Sequence, residues 1–293
     1  STRDWSSDVC SSDLLYLESE TSTKFAAEPT EWVTLIPTVY NADTLGIRPD
    51  LIKRPISSWA ELLNPEFKGK ASILNIPSIG IMDAAMVVEA TGQYKYADKG
   101  NMTRQEIDLT MKILTEAKKA GQFRAFWKDF NESVNLMASG ETVIQSMWSP
   151  AVTKVRSMGI PCVFQPLKEG YRSWASGFCV SKAVSGPKLD WAYEFVNWFL
   201  SGWAGAYLNR QGYYSAVLST AKANMEAYEW AYWMEGKPAE KDIKSPTGQL
   251  LEKAGAVRDG GSYDDRMGNV ACWNAVMDEN DYMVRKWNEF IAS

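Results

Sequence analysis

The sequence predicts an α/β fold in two lobes, and three observations carry the prediction. From Leu35 onward, strand-like and helix-like stretches alternate. Thr142–Gln165 reads strand, helix, strand, the β-α-β signature of a mainly parallel sheet covered by helices. The 293 residues suffice for two modest lobes, with no internal repeat and no flexible linker between them. Short hinge strands would join such lobes.

The first fourteen residues, STRDWSSDVCSSDL, stand apart. They repeat Ser-Ser-Asp, carry no periodicity, and resemble translated sequencing-adapter read-through. They lack the basic start and apolar core of a signal peptide, so a native chain is expected from near Leu15, with its N-terminal part missing. Ser58-Trp59-Ala60-Glu61 opens a short helix as a capping box. Ala71–Ile76 reads as a strand, followed by a turn at Pro77–Gly80 and a helix to about Ala90. Thr103–Glu106 is a second capping box, after which Ile107, Met111, Leu114 and Ala117 recur at helical spacing. Thr142–Met147 is a predicted strand, Pro150–Met158 a helix with proline in its first turn, and Pro161–Gln165 a strand. Gly177–Ser181 reads as a further short strand. Leu189–Leu200 sets Trp191, Phe195 and Phe199 on one helical face, and Asp264–Ile291 reads as one long helix with a break near Asp278.

Composition removes whole classes of chemistry. The chain has no histidine, which excludes histidine triads, HExxH zinc sites and imidazole proton shuttles. Its net charge of −5 comes without a basic block and argues against nucleic acid and anionic membranes as partners. No apolar run approaches the ~20 residues of a membrane helix. There is no phosphate loop, dinucleotide fingerprint or GxSxG elbow. Ser219-Thr220-Ala221-Lys222 is a lone Ser-x-x-Lys without the further motifs a hydrolase needs, and reads as a helix start. The acidic pairs Asp264-Asp265 and Asp278-Glu279 read as solvated helix faces. Cys162 and Cys272 either form a disulfide or, with Cys179, are three unrelated buried thiols. Thirteen tryptophans and thirteen tyrosines, beyond filling a core, supply material for binding cations, sugars or flat organic molecules.

Several segments in order resemble bacterial extracellular solute-binding proteins of ABC transporters, of the spermidine/putrescine-binding kind. They are Pro37–Asp43, Ser58–Lys70 (SWAELLNPEFKGK), Met137–Glu141 with Ser146–Val152, Pro166–Val180 (PLKEGYRSWASGFCV), Ala192–Ser201 and Gln211–Val217 (QGYYSAV). The resemblance implies a periplasmic-binding-protein-like (type II) fold of two α/β lobes that close on a ligand at a hinge. It further implies a non-enzymatic monomer in the periplasm, without cofactor or membrane insertion, whose partners are a small-molecule ligand and ABC permease subunits. In that frame 15–35 is a remnant of the first lobe, 36–174 and 220–293 are the nearly complete second lobe, and 175–219 is a first-lobe segment. Helix faces meant for the missing sheet would then be exposed.

The same resemblance points to Trp148, Trp174 and Tyr213 as ligand-facing aromatics. Trp148 also sits where a strand ends and a helix begins, the position at which α/β folds bind ligands. Polyamine binders carry an acid two residues beyond the second aromatic, and here that position is Ser176. Their acids near the turn after the first strand are absent too: Ser78 and Gly80 flank free helix-start amides, and Asp83 is the first acid. Arg172 is a candidate partner for an anion. The expected ligand is therefore a small polar organic solute, with a polyamine as one candidate that would lean on aromatic faces and Asp83. An alternative is ferric-ion binding by the adjacent phenols of Tyr213 and Tyr214; a hydrolase is a remoter one.

Overall fold

The computed structural model describes residues 16–19, 26, 28, 30–33 and 35–293. The leader of residues 1–14 and about half of 15–35 therefore lie outside the described residues. Chain order is β1 Ile36–Ile47, two 3-10 turns Trp59–Leu63 and Pro65–Phe67, β2 Ala71–Leu74, α1 Pro77–Ala90, α2 Arg104–Lys119, β3 Phe123–Trp127, α3 Phe130–Ser139, β4 Ile144–Met147 and α4 Ser149–Ser157. Then follow β5 Val163–Gln165, β6 Tyr171–Phe178, α5 Pro187–Leu200, α6 Trp203–Asn209, β7 Tyr214–Ser215, α7 Leu218–Lys222 and α8 Ala227–Trp233. A small hairpin β8 Ile243–Lys244 and β9 Leu250–Glu252, then α9 Tyr263–Met267, β10 Val270–Trp273 and α10 Asn280–Ala292, complete it.

The organising element is the twelve-residue β1. Its first part pairs antiparallel with β6 and β7, and its last four residues pair antiparallel with β4 and β5. Parallel pairing occurs between β2 and β3, β2 and β4, and β10 and β6. The sheet is thus mixed rather than mainly parallel, because β1 separates β4 from β5 within the predicted β-α-β unit. Side chains alternate faces along β1 as period two requires. Tyr40 and Ala42 enter a core with α4 and α8, while Leu45 and Ile47 enter another with α1, α2 and α10. Helices therefore cover both faces, and the strand is buried from Tyr40 onward.

Helix α1 is buried continuously from Gly80 to Val88, as an apolar-all-round helix must be. The predicted turn at Pro77–Gly80 is in fact its first turn: Pro77 stands at its start, where proline's missing N–H costs nothing. Gly80 is required there, since a methyl group would overlap the Leu74 carbonyl oxygen and the Trp287 ring. Thr103 and Glu106 form the predicted reciprocal box on α2. At Ser58 the box is not reciprocal: Ser58 accepts from Ala60, but Glu61 is drawn to Arg54.

Two strand expectations change. Of the predicted strand Gly177–Ser181 only Gly177 and Phe178 are strand, as the end of the longer β6 fixed by its ladder to β1. The predicted long C-terminal helix is two helices separated by β10, which gains its hydrogen bonds from β6. Cys162 and Cys272 are separate buried thiols with no disulfide between them, whereas Cys179, expected to be buried, is exposed just past the end of β6. Helix α5 forms as predicted, yet Val196 is its one fully buried residue.

Candidate functional site

Parallel strands β2, β3 and β4 each run into a helix, so the N-termini of α1, α3 and α4 gather at one sheet edge. Trp148 is the residue before α4 and has no side-chain capping bond, which leaves its indole free to face outward. It stands edge-on to the buried Trp127, ring centroids 4.9 Å apart, and Trp127 is pinned by donating Nε1–H to the Ser146 carbonyl at 3.1 Å. Tyr213 comes from the turn after α6. Gly212 there takes a φ of 90°, a conformation that suits glycine, and turns the chain so that Tyr213 faces out and Tyr214 faces in. Trp148 and Tyr213 share a pocket of about 460 Å³ with Phe130, Pro150, Lys154 and Gln211, among others. Lys154 is the only charged residue in the lining, and it makes no ion pair among the described residues.

Trp174 completes the aromatic wall, its ring 6.0 Å from that of Tyr213 in an edge contact. It lies opposite Asn41 in the β1–β6 ladder, with Arg172 opposite Asp43 and Ser176 opposite Val39. Alternate residues share a face, so Asp43, Arg172, Trp174 and Ser176 project on one side. Trp174 donates its Nε1–H to Asp43 Oδ2 at 2.7 Å. Arg172 reaches Asp43 Oδ2 at 3.1 Å and Asp83 Oδ1 at 2.6 Å, all three side chains being buried. Burial raises the Asp43 carboxyl to about 6, with Arg172 opposing and Asp83 adding to the rise. Burial likewise raises Asp83. The two carboxylates in turn hold the Arg172 guanidinium charged against the burial that would lower it.

The seven predicted residues thus separate. Trp148, Tyr213 and Trp174 come together. Ser176 is exposed two positions along the strand from Trp174, and Ser78 is exposed in the first turn of α1. Asp83 and Arg172 lie buried inside the protein, paired with one another rather than facing the pocket. The paired phenols are corrected. Tyr214 is fully buried and accepts a hydrogen bond from Arg258 at 3.0 Å, so the two tyrosines do not face one metal. Burial, then the Asp43 charge, pushes the Tyr213 phenol up to about 12. Among the described residues no cluster of three or more acids or cysteines is arranged to hold a metal ion. Asp43, Phe130 and Lys154 escaped the sequence reading. The strand-end position after β3 was a signal for Phe130, as it was for Trp148 after β4.

Such an arrangement presents aromatic faces and a few polar groups at strand ends, the chemistry of holding a solute. The chain belongs to the bacterial extracellular solute-binding proteins, whose family model matches residues 7–229. Its family and fold are those of solute-binding proteins rather than enzymes. No curated protein sequence matches it. Among solved structures it is similar to an ABC transporter substrate-binding protein from Bradyrhizobium japonicum USDA 110 (TM-score 0.61, 16% identity, 88% of this chain and 70% of that one). It is also similar to a spermidine/putrescine ABC transporter substrate-binding protein from Streptococcus pneumoniae (TM-score 0.56, 13% identity, 89% and 68%). A third is an A. tumefaciens R10 binding protein in complex with agropinic acid (TM-score 0.57, 15% identity, 89% and 70%). These likenesses establish a shared periplasmic-binding-protein-like fold. No described helix is long and apolar enough to cross a membrane.

Proposed function

We propose that the protein is the solute-capturing component of an ABC importer, working in the periplasm and delivering a small organic molecule to permease subunits. The observation that carries this reading is the pocket of about 460 Å³ at the strand ends that Trp148 and Tyr213 line, with Trp174 in edge contact with the Tyr213 ring. Binding would draw two lobes together about β1 and β6, the strands that run through the sheet, with ligand contacts favouring the closed form. Residues 36–174 and 220–293 are read as one lobe and 175–219 as part of the other. In support, β6 is buried through Ser173, exposed at Ala175 and Ser176, and half-buried at its end.

The ligand is a polar organic molecule with a flat or apolar body. A polyamine is the less supported candidate. Ammonium groups in a desolvated crevice need carboxylates, and the nearby acids Asp43 and Asp83 are committed to Arg172. The pocket lining instead offers Lys154 and no acid, which suits a neutral or carboxylate-bearing solute.

A thermal-shift panel tests this directly. It holds putrescine, spermidine, 4-aminobutyrate, glycine betaine, small aliphatic and aromatic carboxylates, and sugars. A ligand should raise the melting temperature of the protein and not of Trp148→Ala. A carboxylate should lead the panel and lose affinity with Lys154→Met. Putrescine leading, with no dependence on Lys154, would overturn the ligand class; stabilisation indifferent to Trp148 and Tyr213 would overturn the site.

A further inference from the structure

We propose that Asp43 is a positioning residue of the binding site, fixing the Trp174 indole through Oδ2, and that its ionisation makes this aromatic wall respond to pH. The inference rests on Trp174 belonging to the ligand site, and it adds to that reading a residue and a form of regulation.

Asp43, Asp83 and Arg172 are each at most 2% exposed at the side chain, and they are two acids against one guanidinium. Fully ionised, they would carry one net negative charge out of water, offset only by the buried Arg266, which makes no ion pair with either acid, and such a charge is costly. Asp43 Oδ1 and Asp83 Oδ2 have no hydrogen-bond partner among the described residues, so each acid keeps one oxygen that can take a proton without breaking an existing bond. The structure therefore favours one proton on the pair. Asp43 is the acid whose protonation reaches the pocket, because its Oδ2 accepts from both Arg172 and the Trp174 N–H.

The surroundings leave this pair as the group that titrates. Arg172 faces Asp43 from β6, Asp83 from α1, and Arg266 from α9. The Tyr213 phenol faces it from the turn after α6 and is held neutral up to about 12. Cys272 on β10 faces Arg172 and Asp83, with Lys99 and Asp98 beyond it, and burial pushes its thiol up to about 12. Asn274 touches Arg172, and Ser146 faces Asp83; neither ionises. Near neutrality the charge that changes is that of the acids. An ionised Asp43 grips the indole N–H in a charge-assisted bond roughly twice as strong as a neutral one. Protonation weakens that grip and frees the ring to turn away from Tyr213.

The test follows one tryptophan among thirteen. Protein carrying 5-fluorotryptophan is titrated by fluorine NMR from acid to mildly alkaline pH, with the Trp174 signal assigned through Trp174→Phe. That signal should titrate with a midpoint near 6, be flat in Asp43→Asn, and shift to a lower midpoint by about one unit or more in Asp83→Asn, where Asp43 has Arg172 to itself. Trp59, buried against Gly170, should stay flat throughout. A Trp174 signal flat in the parent protein, or titrating unchanged in Asp43→Asn, overturns the proposal. Should Asp43→Asn fail to fold, the Asp83→Asn midpoint decides: a fall supports the coupling and no change overturns it. Spectra with millimolar 4-aminobutyrate and with putrescine separate the two readings. A Trp174 signal that titrates but moves with neither probe keeps the Asp43 coupling and removes Trp174 from the site. One that moves with a probe and ignores pH keeps the site and removes the coupling.

Discussion

Trp148 and Arg172 illustrate how differently two side chains in one neighbourhood serve the molecule. Trp148 leans on Trp127 at 4.9 Å but is only half-buried, so Trp148→Ala should cost about 0.5–1.5 kcal/mol of stability from the ring pair. Its larger effect should be on affinity, a loss of about tenfold or more, read by calorimetry with the best ligand of the panel. Arg172 is the reverse case. Arg172→Leu strands two buried carboxylates and should destabilise by about 3–5 kcal/mol in urea unfolding. Neutralising both acids in the same chain, with Asp43→Asn and Asp83→Asn, should recover part of that loss. The pH dependence has a definite sign. Both acids have folded-state values above their unfolded ones. The Asp43 contribution is thus fully present below the unfolded carboxyl range and is lost as pH rises through about 6, and that of Asp83 has the same sign. The stability of the parent minus that of Asp43→Asn should fall across that window; a rise would contradict the assignment. The aromatic residues were legible in the sequence because a tryptophan between strand and helix has few places to point. The role of Arg172 was not, because its partners lie 89 and 129 residues away in the chain.

At the scale of elements, local signals were reliable where a cap or proline fixed the chain and weaker where tertiary pairing decided. Thr103 and Glu106 satisfy each other's backbone donors, so α2 begins where the sequence says. Val270–Trp273 sat within a stretch readable as helix, yet as β10 it completes the edge of β6, whose hydrogen bonds no local pattern announces. Helix α1 is the element on which the site depends most. Its start lies at the same sheet edge as those of α3 and α4, and Asp83, farther along it, holds Arg172. Its approach to β2 and α10 is set by Gly80, where an added methyl group has no room. Gly80→Ala should therefore cost about 1–3 kcal/mol through overpacking, although alanine is the better helix former. A gain in melting temperature would show that α1 can shift away from Trp287.

At the scale of the whole molecule, the two sides of β6 contrast sharply. Toward Arg172 the chain is buried and its charges are paired; beyond Ala175 the chain leads to helices α5 and α6, whose large side chains face solvent. Trp191 is 64% exposed, Trp203 58%, and Tyr193, Phe195 and Trp198 50% each. Phe178, Phe195, Trp198, Trp203 and Tyr207 form a continuous chain of ring contacts across this face. Scattered exposed aromatics are ordinary in proteins, but a contiguous patch of this kind is costly to leave in water. Exposed helix faces were expected from the family resemblance, which leaves only part of a first lobe, and Trp191, Phe195 and Phe199 at four-residue spacing lie on such a face. The helix forms even so, because its propensity and internal hydrogen bonds do not depend on what lies over that face. The described chain alone should accordingly bind a hydrophobic dye and associate with rising concentration in sedimentation velocity. Replacing Trp191 and Trp198 with glutamate should suppress both effects. Helix content and the melting temperature should change little, because neither side chain is buried in the present fold. Dye binding and association that survive the double substitution would place the exposed apolar surface elsewhere and remove the support α5 gives to the two-lobe reading.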